Sequence, residues 1–111
     1  IAGRKRLELA RALATQPRLL LLDEVMAGLN PAEIRDIVAV VRGIRDSGIT
    51  ILLIEHVMQA VMSLAERIYV LANGKIIANG TPSEIVGDAR VIEAYLGKGA
   101  ADSIGEGVAH A

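Results

Sequence analysis

Leu19-Leu20-Leu21-Leu22-Asp23-Glu24, followed closely by Ala27-Gly28-Leu29-Asn30, is a run of leucines closed by two adjacent carboxylates. A continuous apolar run that ends in acid reads as a buried strand carrying carboxylates to the edge of a sheet. Open α/β sheets bind their ligands at that edge. Two neighbouring carboxylates placed there can divide the work, one holding a Mg²⁺ ion and one handling a water. A later apolar run, Ile49-Thr50-Ile51-Leu52-Leu53-Ile54, ends in Glu55-His56, so a histidine leaves a second strand end.

The elements around these strands alternate. Arg4 to Thr15 is rich in Arg, Lys, Leu, Glu and Ala, good helix formers, and Pro17 ends it. Its Arg4-Lys5-Arg6 cluster reads as a solvated helix start. Asn30-Pro31-Ala32-Glu33 opens a second helix, because Asn caps, Pro suits the first turn and Glu33 reaches back to the cap. Within it Ile34, Ile37, Val38, Val41 and Ile44 recur at the spacing of one buried face, and Ser47-Gly48 stops it. Strand, helix, strand at this spacing is a parallel crossover unit.

The second half changes character. Val57 to Ala65 reads as a short helix with Val57, Ala60, Val61 and Leu64 on one face. Ile68 to Leu71 and Lys75 to Ala78 flank Asn73-Gly74, the strongest short hairpin signal. Thr81-Pro82-Ser83-Glu84 is another capping box. Asp88 precedes a last helix through Leu96, with Val91, Ile92 and Tyr95 expected to pack. From Gly97 onwards the chain is Gly, Ala and Ser with scattered charge, and residues 98–111 are expected to be a disordered tail.

Composition narrows the function classes. With 111 residues the chain can bury one small core, yet it is short for an enzyme that both binds and hydrolyses a nucleotide. Hydrophobic residues make up 52% of it, but they fall in short runs such as Ile37 to Val41, against the ~20 a membrane-crossing helix needs. We therefore expect a soluble chain with an apolar surface reserved for a partner. There is no cysteine, hence no disulfide, which fits the cytosol. A net charge of −1 and two aromatics, Tyr69 and Tyr95, argue against nucleic acid as a partner. The start at Ile1, with no signal sequence, suggests a fragment or a processed product.

Arg6-Leu7-Glu8-Leu9-Ala10-Arg11-Ala12-Leu13, the Leu19 to Glu24 strand, the Ala27 to Asn30 turn and His56 occur in one order and at one spacing. In that combination the chain resembles the C-terminal half of an ATP-binding cassette (ABC) transporter ATPase, over roughly residues 3 to 97. Leu53-Ile54-Glu55-His56, Ala78-Asn79-Gly80-Thr81-Pro82 and Glu93-Ala94-Tyr95-Leu96-Gly97 are more particular, and resemble an ATPase subunit of bacterial branched-chain amino acid importers. The resemblance implies an α/β fold, the C-terminal part of a P-loop NTPase domain. A parallel sheet section with flanking helices would be completed by a small C-terminal hairpin. Residues 1–97 would form this partial ABC ATPase domain.

The resemblance also implies roles and partners. Asp23, in the Walker B position, would hold Mg²⁺ through a water, and Glu24 would orient or deprotonate the attacking water. His56 would be the switch histidine that contacts the γ-phosphate of ATP. Gly28, Leu29 and Asn30 would form the D-loop facing a second ATPase subunit, with Asn30 where the family often has Asp. Gly3 would be a remnant of the signature Leu-Ser-Gly-Gly-Gln. The implied partners are that second ATPase, membrane-spanning permease subunits and, indirectly, an extracytoplasmic substrate-binding protein. The implied location is peripheral, on the cytoplasmic face of the inner membrane. Read alone, each residue has a plainer alternative: a strand-end Asp-Glu pair can be a helix cap or a solvated edge, a lone His is usually structural or exposed, and Asn30 is a cap in any case.

Departures from the pattern limit the chemistry. No Gly-x-x-x-x-Gly-Lys-Ser/Thr loop occurs in these residues, since Gly74-Lys75 runs into Ile76 and Gly97-Lys98 into Gly99. The glutamine-bearing switch loop is not present either, the signature is reduced to Ile1-Ala2-Gly3, and Val25 stands where a proline usually follows the Glu. These residues alone are therefore not expected to turn over ATP, whereas a parent subunit would. Two alternatives stay open: a non-hydrolysing remnant or interaction fragment, and a lobe of a DNA-maintenance ABC-type ATPase. Against the latter, no sustained heptads or basic surface run is present. A segment of this kind should also leave sheet edges and apolar faces uncovered.

Overall fold

The computed structural model describes residues 1–96 of the chain. They fall into two units, Ile1–Leu64 and one beginning at Ala65, and each is described by itself.

In the first unit, α1 (Ala2–Leu13) leads to β1 (Leu19–Asp23), α2 (Pro31–Asp46), β2 (Thr50–Ile54) and α3 (Met58–Leu64). β1 and β2 pair in parallel, with Leu19 opposite Thr50 and Asp23 opposite Ile54, so the crossover expected from sequence is present. α2 begins on a complete capping box: Asn30 Oδ1 accepts from Glu33 N at 2.8 Å, and Asn30 N donates to Glu33 Oε1 at 3.1 Å. Such a cap contributes about 1 kcal/mol. Ile37, Val38, Val41 and Ile44 are buried along one stripe of α2, as their spacing requires. They share a core with Leu9, Leu20, Leu22, Met26, Ala60 and Leu64. At its far end α2 is tied to α3 by Arg45, whose Nη1 donates to the Leu64 carbonyl at 2.8 Å. An Arg6–Asp36 pair at 3.9 Å links α1 and α2, but both side chains are well exposed, which limits it to about 0–1 kcal/mol.

The four-leucine run is buried on one face only. Leu20 and Leu22 enter the core, while Leu19 and Leu21 are 53% and 64% exposed. Next to them Leu52 and Ile54 are 56% and 55% exposed. Side chains alternate across a strand, and in this unit the helices cover one face of the pair. The expected uncovered apolar face is present, and it corrects the reading of the run as buried throughout.

In the second unit β3 (Ile68–Ala72) and β4 (Lys75–Gly80) form an antiparallel hairpin. Its turn is Asn73-Gly74, both with positive φ (52° and 76°), which is why that dipeptide was the signal. One extra residue on β4, Ile77, makes a bulge opposite Val70 and Leu71. α4 (Pro82–Val86) starts on the Thr81–Glu84 capping box and buries Ile85. α5 (Ala89–Val91), capped by Asp88, buries Val91 and passes into a π-helical turn, Ile92–Leu96. The single helix expected through Leu96 is thus replaced by a short helix and a wider turn. Tyr95 is half-exposed rather than packed, and its hydroxyl donates to the Leu71 carbonyl, as a phenol tip needs a polar partner. The expected tail at 98–111 lies outside the described residues.

Candidate functional site

Parallel pairing brings the C-terminal ends of β1 and β2 to one edge, and the chemistry-bearing residues follow from it. The ladder extends one step past β1, because Glu24 N donates to the Ile54 carbonyl at 2.8 Å. That bond fixes Glu24 beside the start of the Glu55-His56 segment. The backbone of Glu24 has φ +51°, a left-handed conformation in which a non-glycine residue is uncommon. A tight turn follows, with Ala27 N donating to the Glu24 carbonyl at 3.2 Å. The turn redirects the chain so that Met26 is buried while the Glu24 side chain stays half-exposed.

His56 Nδ1 stands 3.3 Å from Glu24 Oε1. A carboxylate only accepts, so this bond requires the proton on Nδ1. Nε2 is then left for a second partner. Both side chains are accessible, 64% exposed for His56 and 55% for Glu24, so a solvent-side ligand can reach the pair. Two residues the sequence placed on separate strand ends are therefore brought together.

Glu55 is the residue the sequence reading left without a role. Its side chain has no solvent exposure. Oε1 accepts from the His56 backbone N–H at 3.0 Å, and Oε2 accepts from the Met26 N–H at 3.4 Å. The signal was available: Ile51, Leu53 and Glu55 share strand parity, and the first two pack on the core.

The remaining sequence candidates are placed as follows. Asp23 ends β1 on the face that carries Leu19 and Leu21, next to Ile54, and is exposed. An exposed carboxylate oxygen suits a hard cation such as Mg²⁺, which is commonly held by one or two carboxylates together with waters and substrate phosphates. Among the described residues no group of three His, Cys, Asp or Glu side chains forms a protein-only metal site. A single exposed carboxylate at Asp23 is compatible with a share in holding Mg²⁺. Gly28 has φ +77°, Leu29 packs on the core, and Asn30 caps α2. A Cβ built on Gly28 would stand 3.9 Å from Ile1 Cδ1, so the start of the chain lies near this turn. Gly3 lies in the first turn of α1 and is exposed.

Comparison with known proteins gives a consistent picture. Residues 75–101 match the family model described as a branched-chain amino acid ATP-binding cassette transporter. The chain is 50% identical over 95 residues to the high-affinity branched-chain amino acid transport ATP-binding protein LivG of Salmonella typhimurium, covering 85% of this chain and 37% of LivG. It is 42% identical over 95 residues to the lipopolysaccharide export system ATP-binding protein LptB of Escherichia coli K12, covering 86% of this chain and 39% of LptB. Among solved structures, a nucleotide-free ATP-binding cassette from an ABC transporter superposes with a TM-score of 0.77 at 35% identity, over 87% of this chain and 40% of that one. The ADP conformation of MJ1267, an ATP-binding cassette of an ABC transporter, gives 0.77 at 36% identity over the same shares. The chain spans well under half the length of the relatives it matches.

Proposed function

We propose, on the premise that this chain is part of an ABC transporter ATP-binding subunit resembling the branched-chain amino acid importer ATPase, that it carries the water-handling portion of that subunit's ATP hydrolysis site. The observation that carries the reading is the Glu24–His56 pair, two accessible side chains 3.3 Å apart at adjacent parallel strand ends.

Glu24 acts on the attacking water, as a base or by orienting it. Its backbone is anchored by the N–H bond to the Ile54 carbonyl, and its carboxylate lies against His56. His56 keeps its Nδ1 proton on Glu24 and turns Nε2 toward the γ-phosphate. Asp23 would hold Mg²⁺. The ion, when bound, neutralises charge on the phosphate oxygens. Gly28, Leu29 and Asn30 present the turn that meets a second ATPase, and the Asn30 cap keeps that turn attached to α2. Gly3 belongs to the end of the signature segment. The phosphate cradle comes from residues other than these, so turnover requires the complete subunit.

ABC ATPases generally work as dimers with membrane permease subunits. For this chain we assign the same setting: a second ATPase, two permease subunits and an extracytoplasmic binding protein, with the subunit peripheral on the cytoplasmic face of the membrane. We assign residues 1–97 to the ATPase domain. No helix among the described residues is long and apolar enough to cross a membrane. Branched-chain amino acids are the assigned cargo, supported by the match over residues 75–101 and the likeness to LivG. LptB is also similar, so export of a glycolipid is the competing reading.

The test is transport by the complete system. Cells lacking it should lose uptake of labelled leucine, isoleucine and valine, and regain it with the intact subunit. Unchanged uptake together with a lipopolysaccharide export defect would favour the second reading, and absence of ATP turnover by the complete subunit would overturn both.

A further inference from the structure

We propose that Glu55 is a positioning residue that ties the turn after β1 to the segment after β2, and so sets the distance between Glu24 and His56. This rests on the reading of that pair as the water-handling site. The side chain of Glu55 is fully buried, and it accepts a hydrogen bond on each oxygen. One donor is the N–H of His56, at 3.0 Å, and the other is the N–H of Met26, at 3.4 Å. These donors lie immediately beyond the two strands, two residues after Glu24 and at His56 itself. Among the described residues neither N–H has a backbone acceptor. Glu55 Oε1 also lies 3.7 Å from the His56 ring nitrogen that faces Glu24.

A buried carboxylate is costly to keep unless its oxygens are satisfied, and these two backbone donors satisfy it. In return it joins loops that the β1–β2 ladder does not otherwise connect beyond the Glu24–Ile54 bond. The arrangement needs an acceptor on each arm. Glutamine has the same size but offers one carbonyl and one NH₂, so it can serve only one of the two donors. Alanine serves neither. A role confined to stability would use the same two bonds, and the consequence for catalysis separates the two.

The experiment uses the complete subunit that carries this segment, with Glu55→Gln and Glu55→Ala compared to the parent. Hydrogen exchange at the Met26 and His56 amides is measured alongside steady-state ATP hydrolysis. Glu55→Gln should speed exchange at one of the two amides and lower kcat by about 10–100-fold, the range typical of lost supporting contacts, with KM for ATP within about twofold. Glu55→Ala should expose both amides, and if it fails to fold, the glutamine variant decides alone. A glutamine variant whose kcat matches the parent while only its Tm falls overturns the proposal, as does unchanged exchange at both amides. If the parent itself has no ATP turnover, the functional reading fails, and the exchange result still decides whether Glu55 braces the two loops.

Discussion

Glu24 and His56 are 32 residues apart in the chain, yet the histidine Nδ1 lies 3.3 Å from the glutamate Oε1. The contact exists because both residues follow parallel strands paired in register up to Asp23 and Ile54. It ties the orientation of the ring to that of the carboxylate. His56→Ala should therefore lower ATP turnover of the complete subunit by about 10²-fold, in the range of a lost acid–base or positioning group, while leaving Tm nearly unchanged because the ring is exposed. Turnover at the parental rate would reduce His56 to a surface residue.

Gly80 is held small by its neighbour. A Cβ there would lie 3.1 Å from Glu84 Cβ and 3.2 Å from its carboxyl group. Glu84 is the N3 residue of the α4 capping box, so the few tenths of an ångström it must give are taken from the cap geometry. Gly80→Ala should destabilise the second unit by about 1–3 kcal/mol, as overpacking does, and be read as a shift in denaturant midpoint. A midpoint at or above the parent's would contradict the close approach.

The same capping box gives a pH dependence. The Thr81 backbone N–H, then its hydroxyl, and more weakly the Arg67 charge hold the Glu84 carboxyl below its ordinary value of 4.5. Arg90, first through its side chain and then its backbone N–H, holds Asp88 below 3.8. For a carboxylate lowered in the folded state, the stabilisation is complete above the unfolded value and disappears as pH falls through the folded one. Stability of the second unit should thus be level above about pH 4.5 and decline below it, and Glu84→Gln should flatten the upper part of that decline. Denaturation curves between pH 2 and 6 measure it, and an unaltered slope in the variant would count against the cap as its source.

Leu21 and Leu52 are opposed in register on the uncovered face of the β1–β2 pair, flanked by Leu19 and Ile54. A contiguous apolar sheet face with open strand edges favours association. The 111-residue chain by itself should self-associate and melt at a concentration-dependent temperature, and Leu21→Lys with Leu52→Glu should return it toward monomer in sedimentation. A monomeric parent with a sharp, concentration-independent melt would remove this face as the cause.

Much of this is legible in the sequence. Asn30-Pro31-Ala32-Glu33 and Thr81-Pro82-Ser83-Glu84 announce helix starts because capping is local chemistry, and Asn73-Gly74 announces a hairpin because both residues tolerate positive φ. The strand ends that carry Asp23, Glu24 and His56 were also visible as apolar runs closed by polar residues. Features set by tertiary context were not. The left-handed backbone of Glu24 arises from the turn after β1, and the burial of Glu55 from the core beneath β2. The half-covered leucine run reads like a fully buried one, since composition cannot say whether a second layer is present. The Ile77 bulge and the π-helical turn before Tyr95 leave no pattern in the residues themselves.

The most direct test of the account is single-turnover ATP hydrolysis by the complete subunit carrying Glu24→Gln. The amide is nearly isosteric and cannot take a proton from water, so ATP binding should persist while the hydrolysis rate falls by about 10²–10⁴-fold. Hydrolysis near the parental rate with binding intact would show that Glu24 does not handle the water, and the function assigned to this strand edge would fall with it.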